Sequence, residues 1–435
     1  MFISTAVSDS RKVFQGVMFV ALRGERTDGH AFIAIARQAG ALVALVEEFI
    51  VDDLPQIKVS SCREALAELA RFQLQRYPVK IVGVTGSMGK TSCKDLIASV
   101  LATHYKVLKS QGNMNTEVTL PITLFELDET YDVAVLEMGM VAKGEIQELC
   151  QIAKPDIAMI SNIMEVHLER LGSIEAIAET KGEIFRALDC QGVAMVNADD
   201  LHVKEQALKS GAAVYTYGFS EGAYVTAQEI VDKGRLGSDF SLYIDGKRRE
   251  IQLPLIGIHS VHNSLPAALA GYLLGLSLDE IAIGLASVKL SEQRLSVHDL
   301  AGQRLLIDDS YNANPRSMAA ALDFVSSIRE DRPLYLVLGD MLELGSISEN
   351  AHRELGNRVA ALAPAMLITR GDAAQTIAKT VSEKELDQTV VYQAENNQEA
   401  LRYLVQNLPE KAIVLVKGSR GIQMEQIVEG LEAMF

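Results

Sequence analysis

Residues that could bind phosphate are concentrated in one short stretch, IVGVTGSMGKTSCK, at positions 81–94. An apolar, β-branched run is followed there by a glycine-rich turn and then by a helix start. The glycines allow the backbone to turn tightly with its N–H groups pointing inward, the lysine brings a positive charge to the outer phosphates, and the threonine offers a hydroxyl to Mg²⁺. We therefore predict that a nucleoside triphosphate binds to Thr85, Gly86, Ser87, Met88, Gly89, Lys90 and Thr91.

This stretch departs from the strict P-loop pattern G-x-x-x-x-G-K-[ST]. The first position of the pattern holds Val84, and the nearest glycine is one residue earlier, at Gly83. A strand-to-helix turn whose glycines serve only geometry is the alternative interpretation, because GK dipeptides are common. The strand before the turn, the helix after it and the GKT sequence together favour phosphate binding.

A second acidic partner for Mg²⁺ is predicted at Glu137. The loop GNMNTEVTLPITL precedes it, and the sequence YDVAVLEMGM is then interpreted as a buried strand that ends at this carboxylate. The carboxyl ends of parallel strands are where doubly wound sheets bind ligands. A glutamate that caps the following segment is the alternative. Because a P-loop needs an acidic partner for its metal ion, we favour a magnesium ligand.

Four other places carry polar residues to which the pattern alone assigns no function. His167 follows a buried strand, and Lys181 lies on a helix predicted over about 174–188. A lone histidine is more often structural, and a lysine on a helix is usually a solvated charge. For the SDSR sequence at 8–11 and the TDGH turn at 27–30, we favour ordinary turn and cap chemistry over a binding role.

Composition favours a protein that binds small molecules. The chain has 435 residues, enough for two to four domains, and a formal net charge of -16, which lacks the basic footprint of general nucleic-acid binding. Its hydrophobic content of 48% with no tryptophan is typical of an aliphatic α/β protein with buried parallel strands. We expect no nucleic-acid partner.

The four cysteines argue against zinc and against a disulfide scaffold, since they lie far apart and form no C-x-x-C pair. A reducing cytoplasm fits this usage. The N-terminal sequence has neither a basic leader nor an apolar signal region, and no apolar run approaches the length of a membrane span. We therefore expect a soluble, cytoplasmic protein without a membrane span, acting as a monomer.

The order of predicted elements divides the chain into three α/β domains. Residues 1–79 form a small α/β unit, which ends where Tyr77-Pro78 restricts the backbone. Residues 80–292 form a parallel sheet around the phosphate loop, with an added antiparallel layer at about 224–257. Residues 293–435 alternate strand and helix, which predicts a doubly wound, Rossmann-like parallel sheet.

Taken in order, the motifs TGSMGKT, GNMNTEVTLPITL, LEMGM, SNIMEVHLERLGS, ETKGEIF, DDSYNANP, GDMLELG and LVKGSR resemble those of the Mur ligases, the ATP-dependent amide-forming enzymes of bacterial cell-wall synthesis. The resemblance covers nearly the whole chain. DDSYNANP, at 308–315, is the most discriminating motif and resembles the branch that joins D-alanyl-D-alanine to UDP-N-acetylmuramoyl-tripeptide (UDP-MurNAc-tripeptide). The stretch from SDSR to TDGH resembles the UDP-binding module of the family.

The resemblance implies a fold, cofactors and residue roles. It implies a small N-terminal UDP-binding module, a central ATP-binding domain and a C-terminal Rossmann-like domain, with ATP and Mg²⁺ required. The implied catalytic residues are Lys90, Glu137, His167 and Lys181. The implied magnesium ligands are Thr91, Glu137, His167 and Lys181, the last after carbamylation by CO₂. The implied nucleotide contacts outside the loop are Asn263 to adenine, Arg294 to the phosphates and Asp309 to the ribose. The implied substrate contacts are Ser10, Arg11, Asp28, His30, Asn115 and Thr116, with Asn312, Lys417 and Ser419 on the side of the dipeptide.

Three other functions would use part of the same sequence pattern. A sister ligase, or an enzyme similar to folylpolyglutamate synthase, would use the same ATP site with another acceptor, but DDSYNANP argues against it. A P-loop switch or motor would hydrolyse nucleotide without a covalent product and leaves the outer domains unexplained. A non-catalytic binding protein is disfavoured because Lys90, Thr91, Glu137, His167 and Lys181 are all present.

Overall fold

Three sheets, one after another along the chain, organise the protein. The computed structural model describes residues 3–24, 27–166, 168–291 and 293–435. Each sheet consists wholly or largely of parallel strands, and helices cover the sheets. The predicted three-domain α/β fold is confirmed. The boundaries at 79/80 and 292/293 stay predictions, although the sheets lie on either side of them.

The N-terminal sheet has four parallel strands in the order β1-β2-β3-β4. Its strands are β1 (Ala6–Val7), β2 (Met18–Val20), β3 (Val43–Val46) and β4 (Gln56–Lys58), and its helices are α1 (Ile33–Gln38) and α2 (Cys62–Arg76). Helix α2 begins at the N-cap Ser61, whose hydroxyl accepts from the N–H of Glu64. Leu66 packs in a cluster with this sheet, whereas Ala67 and Ala70 pack in the core of the central domain. Helix α2 therefore joins the first two domains.

The central sheet runs in the order β13-β12-β11-β10-β9-β8-β5-β7-β6. Its strands are β5 (Lys80–Thr85), β6 (Val107–Lys109), β7 (Val133–Glu137), β8 (Ile157–Ile160), β9 (Val193–Asn197), β10 (Ala213–Tyr217), β11 (Val225–Asp232), β12 (Ser238–Ile244) and β13 (Lys247–Leu253). Its helices are α3 (Lys90–Leu101), α4 (Thr119–Leu124), α5 (Glu145–Ile152), α6 (Leu168–Leu171), α7 (Ile174–Arg186), α8 (Leu201–Ala207), α9 (Ile258–Leu273) and α10 (Leu278–Ala286). Strands β5, β7 and β8 are buried almost throughout, as their unbroken apolar sequences predict.

The predicted antiparallel strands extend the central sheet itself. Strands β11, β12 and β13 pair antiparallel with one another, and Tyr217 of β10 pairs with Val225 of β11 in parallel register. Their inward residues, such as Phe240 and Ile251, join the same apolar cluster as helices α3 and α9. One continuous sheet thus carries both the phosphate loop and these strands.

The C-terminal sheet has the order β14-β15-β19-β16-β17-β18. Its strands are β14 (Ser296–Leu300), β15 (Arg304–Asp309), β16 (Leu334–Gly339), β17 (Met366–Arg370), β18 (Val390–Ala394) and β19 (Ile413–Lys417). Its helices are α11 (Pro315–Ile328), α12 (Ser348–Leu362), α13 (Gln375–Ser382), α14 (Asn397–Asn407) and α15 (Glu425–Met434). Short 3-10 turns also occur, at Ser10–Lys12, Gly29–Phe32, Gly234–Leu236, Gly345–Ile347 and Arg420–Ile422.

Two local features differ from the sequence expectation. The sequence predicts an all-parallel C-terminal sheet, whereas β14 adds an antiparallel strand at its edge. This strand includes polar, half-buried residues such as Ser296 and His298, so its sequence has no apolar pattern that would predict it. The stretch GNMNTEVTLPITL is predicted as a loop, but its second half forms α4. Pro121 is tolerated there because it lies in the first turn of the helix. In the described part of the chain, no helix is long and apolar enough to cross a bilayer.

Helix α10 packs closely on α3, the helix that follows the phosphate loop. A Cβ atom built on Gly284 would lie 2.5 Å from Cα of Val100, which is backbone and cannot swing away. We expect Gly284→Ala to lower the free energy of unfolding by about 1–3 kcal/mol, because the two helices must move apart. Denaturant unfolding measures this. Gly211→Ala is the control, since a Cβ at Gly211 meets nothing within 4 Å; equal stability of the two variants would contradict the packing argument.

Candidate active site

The predicted phosphate loop links the end of β5 to the start of α3. Gly86 (φ +147) and Gly89 (φ +75) have backbone conformations that favour glycine, and Gly89 is the N-cap of α3. A Cβ on Gly86 would overlap the hydroxyl of Ser161. The first N–H groups of a helix have no partner within the helix and favour negative charge. The start of α3 is therefore suited to a phosphate.

The loop that follows β8 supports the phosphate loop from the side. The N–H groups of Ser87 and Met88 donate to the backbone and side-chain oxygens of Asn162, each at 2.9 Å, and the hydroxyl of Ser161 donates to the carbonyl of Met88 at 2.5 Å. These two N–H groups already have acceptors within the protein. The N–H groups left to bind a phosphate are therefore those of the residues at the start of α3. Ser161 and Asn162 are not among the residues predicted from the sequence, although their position directly after a buried strand could have indicated them.

Glu137, the last residue of β7, and Thr91, in the first turn of α3, form a hydrogen-bonded pair. The Thr91 hydroxyl donates to Oε2 of Glu137 at 2.9 Å, and the Asn115 side-chain amide donates to Oε1 at 2.8 Å. Glu137 is only 2% exposed. Hydroxyl and carboxylate oxygens are the ligands that Mg²⁺ prefers. The pair fits a magnesium ion.

Two lysine side chains converge on one carbonyl of the loop. The amines of Lys90 and Lys181 donate to the oxygen of Gly86 at 2.8 and 2.9 Å. Burial lowers the pKa of Lys90, and burial together with the positive charge of Lys90 lowers the pKa of Lys181 well below its usual value. Among the described residues, neither amine has a carboxylate within 4 Å. Two buried amines without a carboxylate partner in the described part of the chain favour an anionic ligand.

Arg294, from the linker to the C-terminal domain, reaches the same place. Its guanidinium donates to the Thr91 hydroxyl at 2.8 Å. The linker is also bonded to α3, because the N–H and hydroxyl of Ser291 donate to Asp95 at 2.8 and 2.7 Å. Asp95 is buried and also accepts from Lys109 at 2.8 Å. The linker to the C-terminal domain is thus hydrogen-bonded directly to α3, the helix that follows the predicted phosphate loop.

Asn263 lies beside the loop. It is on α9, and a Cβ on Gly89 would approach its amide oxygen to 3.0 Å. The Cys93 thiol lies 3.6 Å from the same oxygen. The structure therefore places this predicted nucleotide contact next to the predicted phosphate contacts.

The predicted C-terminal residues cluster where β15 and β19 end side by side. Asp309 and Lys417 are register partners, and the Lys417 amine contacts the Asp309 carboxylate at 2.5 Å and the Asn312 carbonyl at 2.9 Å. Lys417 is 1% exposed. The Ser419 hydroxyl accepts from the N–H of Leu342 at 2.9 Å. In this arrangement Lys417 and Ser419 fix the loops around Asp309 and Asn312.

The predicted N-terminal residues form a separate group on the first sheet. Arg11 pairs with Asp9 on the surface, and Ser10 lies in the same 3-10 turn. His30 is buried: its Nδ1 contacts Asp28 at 2.6 Å, and its Nε2 accepts from the N–H of Glu47 at 3.0 Å. Since Nε2 accepts, the Nδ1 atom carries the proton and donates to Asp28.

Two predicted site residues remain, Thr116 and His167. The Thr116 hydroxyl accepts from the N–H of Thr119, the first residue of α4, at 3.3 Å and lies 3.0 Å from its hydroxyl. His167 lies outside the described residues, so its predicted metal role stays a prediction. Within the described ranges, no group of three or more histidine, cysteine, aspartate or glutamate side chains could hold a metal ion.

Models of the Mur ligase family match the three domains in order. The "Mur ligase family, catalytic domain" matches residues 3–74, the "Mur ligase middle domain" matches 84–271, and the "Mur ligase, glutamate ligase domain" matches 293–420.

Named relatives match over almost the full length. The UDP-N-acetylmuramoyl-tripeptide--D-alanyl-D-alanine ligase of Bacillus subtilis is 36% identical over 99% of this chain and 93% of its own. A crystal structure of MurF from Acinetobacter baumannii superposes with a TM-score of 0.87 at 32% identity, covering 99% of this chain and 94% of that one. MurF from Thermotoga maritima, solved in complex with ADP, has a TM-score of 0.81 at 28% identity, over 99% of this chain and 97% of that one.

The close approach of Gly86 to Ser161 gives a test of the loop. Gly86→Ala places a methyl group on the Ser161 hydroxyl in a conformation that favours glycine, so the loop must shift. We expect at least a tenfold loss of affinity for ADP, measured by isothermal titration calorimetry. Gly211→Ala serves as the control, and wild-type affinity in the Gly86 variant would contradict the assignment of the loop.

Proposed function

Because this chain belongs to the Mur ligase family, we propose that it uses ATP to join D-alanyl-D-alanine to UDP-N-acetylmuramoyl-tripeptide, which completes the soluble pentapeptide precursor of peptidoglycan. The observation that carries this proposal is the convergence of Lys90, Lys181, Arg294 and the Thr91–Glu137 pair on one loop. The acceptor is inferred from the DDSYNANP motif and from the full-length similarity to ligases named for this reaction.

The chemical difficulty is that a carboxylate is a poor electrophile in water. In the proposed reaction, the terminal carboxylate of the tripeptide attacks the γ-phosphorus of ATP, forming an acyl phosphate and releasing ADP. The amine of D-alanyl-D-alanine then attacks the acyl carbon and loses a proton. The tetrahedral intermediate collapses to the amide and inorganic phosphate. Both steps bring anionic groups together, so the site must neutralise charge and align the reactants.

The residues on the loop are arranged for this task. We infer that Lys90 and the N-terminal end of α3 hold the β- and γ-phosphates, and that Arg294 adds a third positive group from the other domain. Asn263 would contact adenine and Asp309 the ribose. The linker carries Arg294 into the site only when the two domains meet, so the reactive acyl phosphate would form where water is excluded.

Thr91, Glu137, His167 and a modified Lys181 would hold Mg²⁺, and the donor set on the described residues fits it, since it consists of a hydroxyl and a buried carboxylate. Bound there, the metal would neutralise charge on the transferring phosphoryl group. Lys181 must first become anionic. Burial lowers the pKa of its amine, which favours the neutral form that can attack CO₂; the N–C bond forms, a proton leaves, and the product is a carbamate.

Substrate contacts outside the ATP site are also proposals. Asn115 adjoins Glu137, so it would lie near the acyl phosphate, with Thr116 next to it. Asn312, Lys417 and Ser419 would serve the dipeptide side, with Lys417 acting through Asp309 and the Asn312 carbonyl. The UDP group would bind at the N-terminal residues Ser10, Arg11, Asp28 and His30. We propose a monomer that works in the cytoplasm, where ATP is present; the four cysteines are free thiols, as that compartment requires.

Co-substrate dependence tests the reaction. We expect ADP release only when UDP-MurNAc-tripeptide and D-alanyl-D-alanine are both present, with single D-amino acids and L-alanyl-L-alanine giving less than a tenth of the rate. A coupled ADP assay measures it. Equal release from ATP alone would favour a switch or motor, and equal rates with another acceptor would favour a sister ligase.

Removing the Lys181 amine tests the carbamate. We expect Lys181→Ala to lower kcat at least 100-fold, because Mg²⁺ loses a ligand, and short carboxylates such as acetate to restore part of the rate. Lys204→Ala, at an exposed position on α8, is the control. Wild-type turnover in the Lys181 variant without added carboxylate would refute the assignment.

A further inference from the structure

We propose that Tyr311 is a positioning residue: its ring holds the guanidinium of Arg294 in place for the triphosphate and so sets the affinity for ATP. The inference rests on the proposed function, in which Arg294 contacts the phosphates. It concerns the fourth residue of the DDSYNANP motif, whose function the sequence pattern does not indicate.

The geometry joins the two side chains directly. The Arg294 guanidinium carbon lies 4.1 Å from the centre of the Tyr311 ring, and the same guanidinium donates to the Thr91 hydroxyl at 2.8 Å. The described part of the chain places no carboxylate within 4 Å of Arg294. A cation over an aromatic face is stabilised without being neutralised by an anion. Tyr311 can therefore fix Arg294 and leave its charge available to a phosphate.

The backbone around Arg294 needs such support. Its two neighbours, Gln293 (φ +66) and Leu295 (φ +54), both have left-handed conformations that are unfavourable for residues other than glycine. Contacts from the C-terminal domain hold them: the N–H of Tyr311 donates to the Gln293 carbonyl at 3.4 Å, and the N–H of Leu295 donates to Asp309 at 3.3 Å. Tyr311 thus holds the linker by its backbone and Arg294 by its ring.

A second arginine strengthens the same arrangement. The Arg420 guanidinium lies 5.6 Å from the centre of the Tyr311 ring and donates to the Gln293 side chain at 3.1 Å. Its charge is balanced by Glu425, at 3.3 Å. The Tyr311 ring therefore lies between Arg294 of the linker and Arg420, which follows β19.

In the free protein, Tyr311 already holds the Arg294 side chain in the position proposed for phosphate binding. An arginine side chain has many rotamers, and immobilising them on binding weakens affinity. A side chain already held in the bound position avoids that loss. Removal of the ring should therefore weaken the binding of the nucleotide and raise KM for ATP, while KM for D-alanyl-D-alanine is unchanged.

The test compares ring-bearing and ring-free variants of the full chain. Affinity for the magnesium complex of a nonhydrolysable ATP analogue is measured by calorimetry, and KM for each co-substrate by steady-state kinetics. We expect Tyr311→Leu to weaken analogue binding about three- to tenfold and Tyr311→Phe to retain wild-type affinity within twofold. Tyr311→Gln is a second ring-free variant should the leucine variant fail to fold. Tyr403→Leu, which removes a ring stacked on Tyr392, is the control and should leave affinity unchanged.

A double-mutant cycle shows whether Tyr311 acts through Arg294. We expect Arg294→Ala to weaken binding at least tenfold and Tyr311→Leu to have no further effect in that background. An undiminished effect of Tyr311→Leu in the Arg294→Ala background, a loss in Tyr311→Phe equal to that in Tyr311→Leu, or a change confined to KM for the dipeptide would overturn the proposal. Wild-type analogue affinity in Arg294→Ala would instead reject the phosphate role of Arg294, which belongs to the proposed function.

Discussion

The hydrogen bond between Thr91 and Glu137 is the contact on which the rest of the site depends. It ties the first turn of α3 to the end of β7, so the helix that would bind phosphate and the carboxylate that would bind metal keep a fixed relation. Both groups are buried, where electrostatic interactions are stronger than in water. Arg294 donates to Thr91, and Lys90 and Lys181 donate to the adjoining loop at Gly86. In the proposed reaction these groups would neutralise the negative charges of the triphosphate and the carboxylate.

The same region also connects the domains. Asp95, four residues after Thr91 on α3, bonds to the linker at Ser291, and Arg294 returns to Thr91. Because α3 contacts the linker at two points, a movement of the C-terminal domain would displace the start of α3 and the loop before it. A family that must keep an acyl phosphate from water has reason to couple domain position to the nucleotide in this way.

Much of the fold followed from the sequence because its signals are local. Unbroken apolar runs such as residues 133–136 predicted buried parallel strands, and the glycine-rich turn with Lys90 and Thr91 predicted the phosphate loop. Strand β14 was not predicted, because an edge strand that mixes polar and apolar residues has no distinctive pattern. The role of Lys417 could not be seen either: its burial and its contact with Asp309 arise from pairing between strands more than a hundred residues apart. Likewise, Lys181 gave no signal of its own, since only the fold brings it to Gly86.

The most direct measurement follows oxygen from the substrate carboxylate. If the γ-phosphoryl group is transferred to that carboxylate at the loop, UDP-MurNAc-tripeptide labelled with ¹⁸O in its terminal carboxylate must pass one labelled oxygen to each phosphate released when the peptide bond forms. Mass spectrometry of the phosphate reads this out. Transfer of one ¹⁸O for every amide formed is the predicted result. Phosphate free of label, accompanied by normal product, would contradict the account, since it would mean that the carboxylate never attacked the nucleotide.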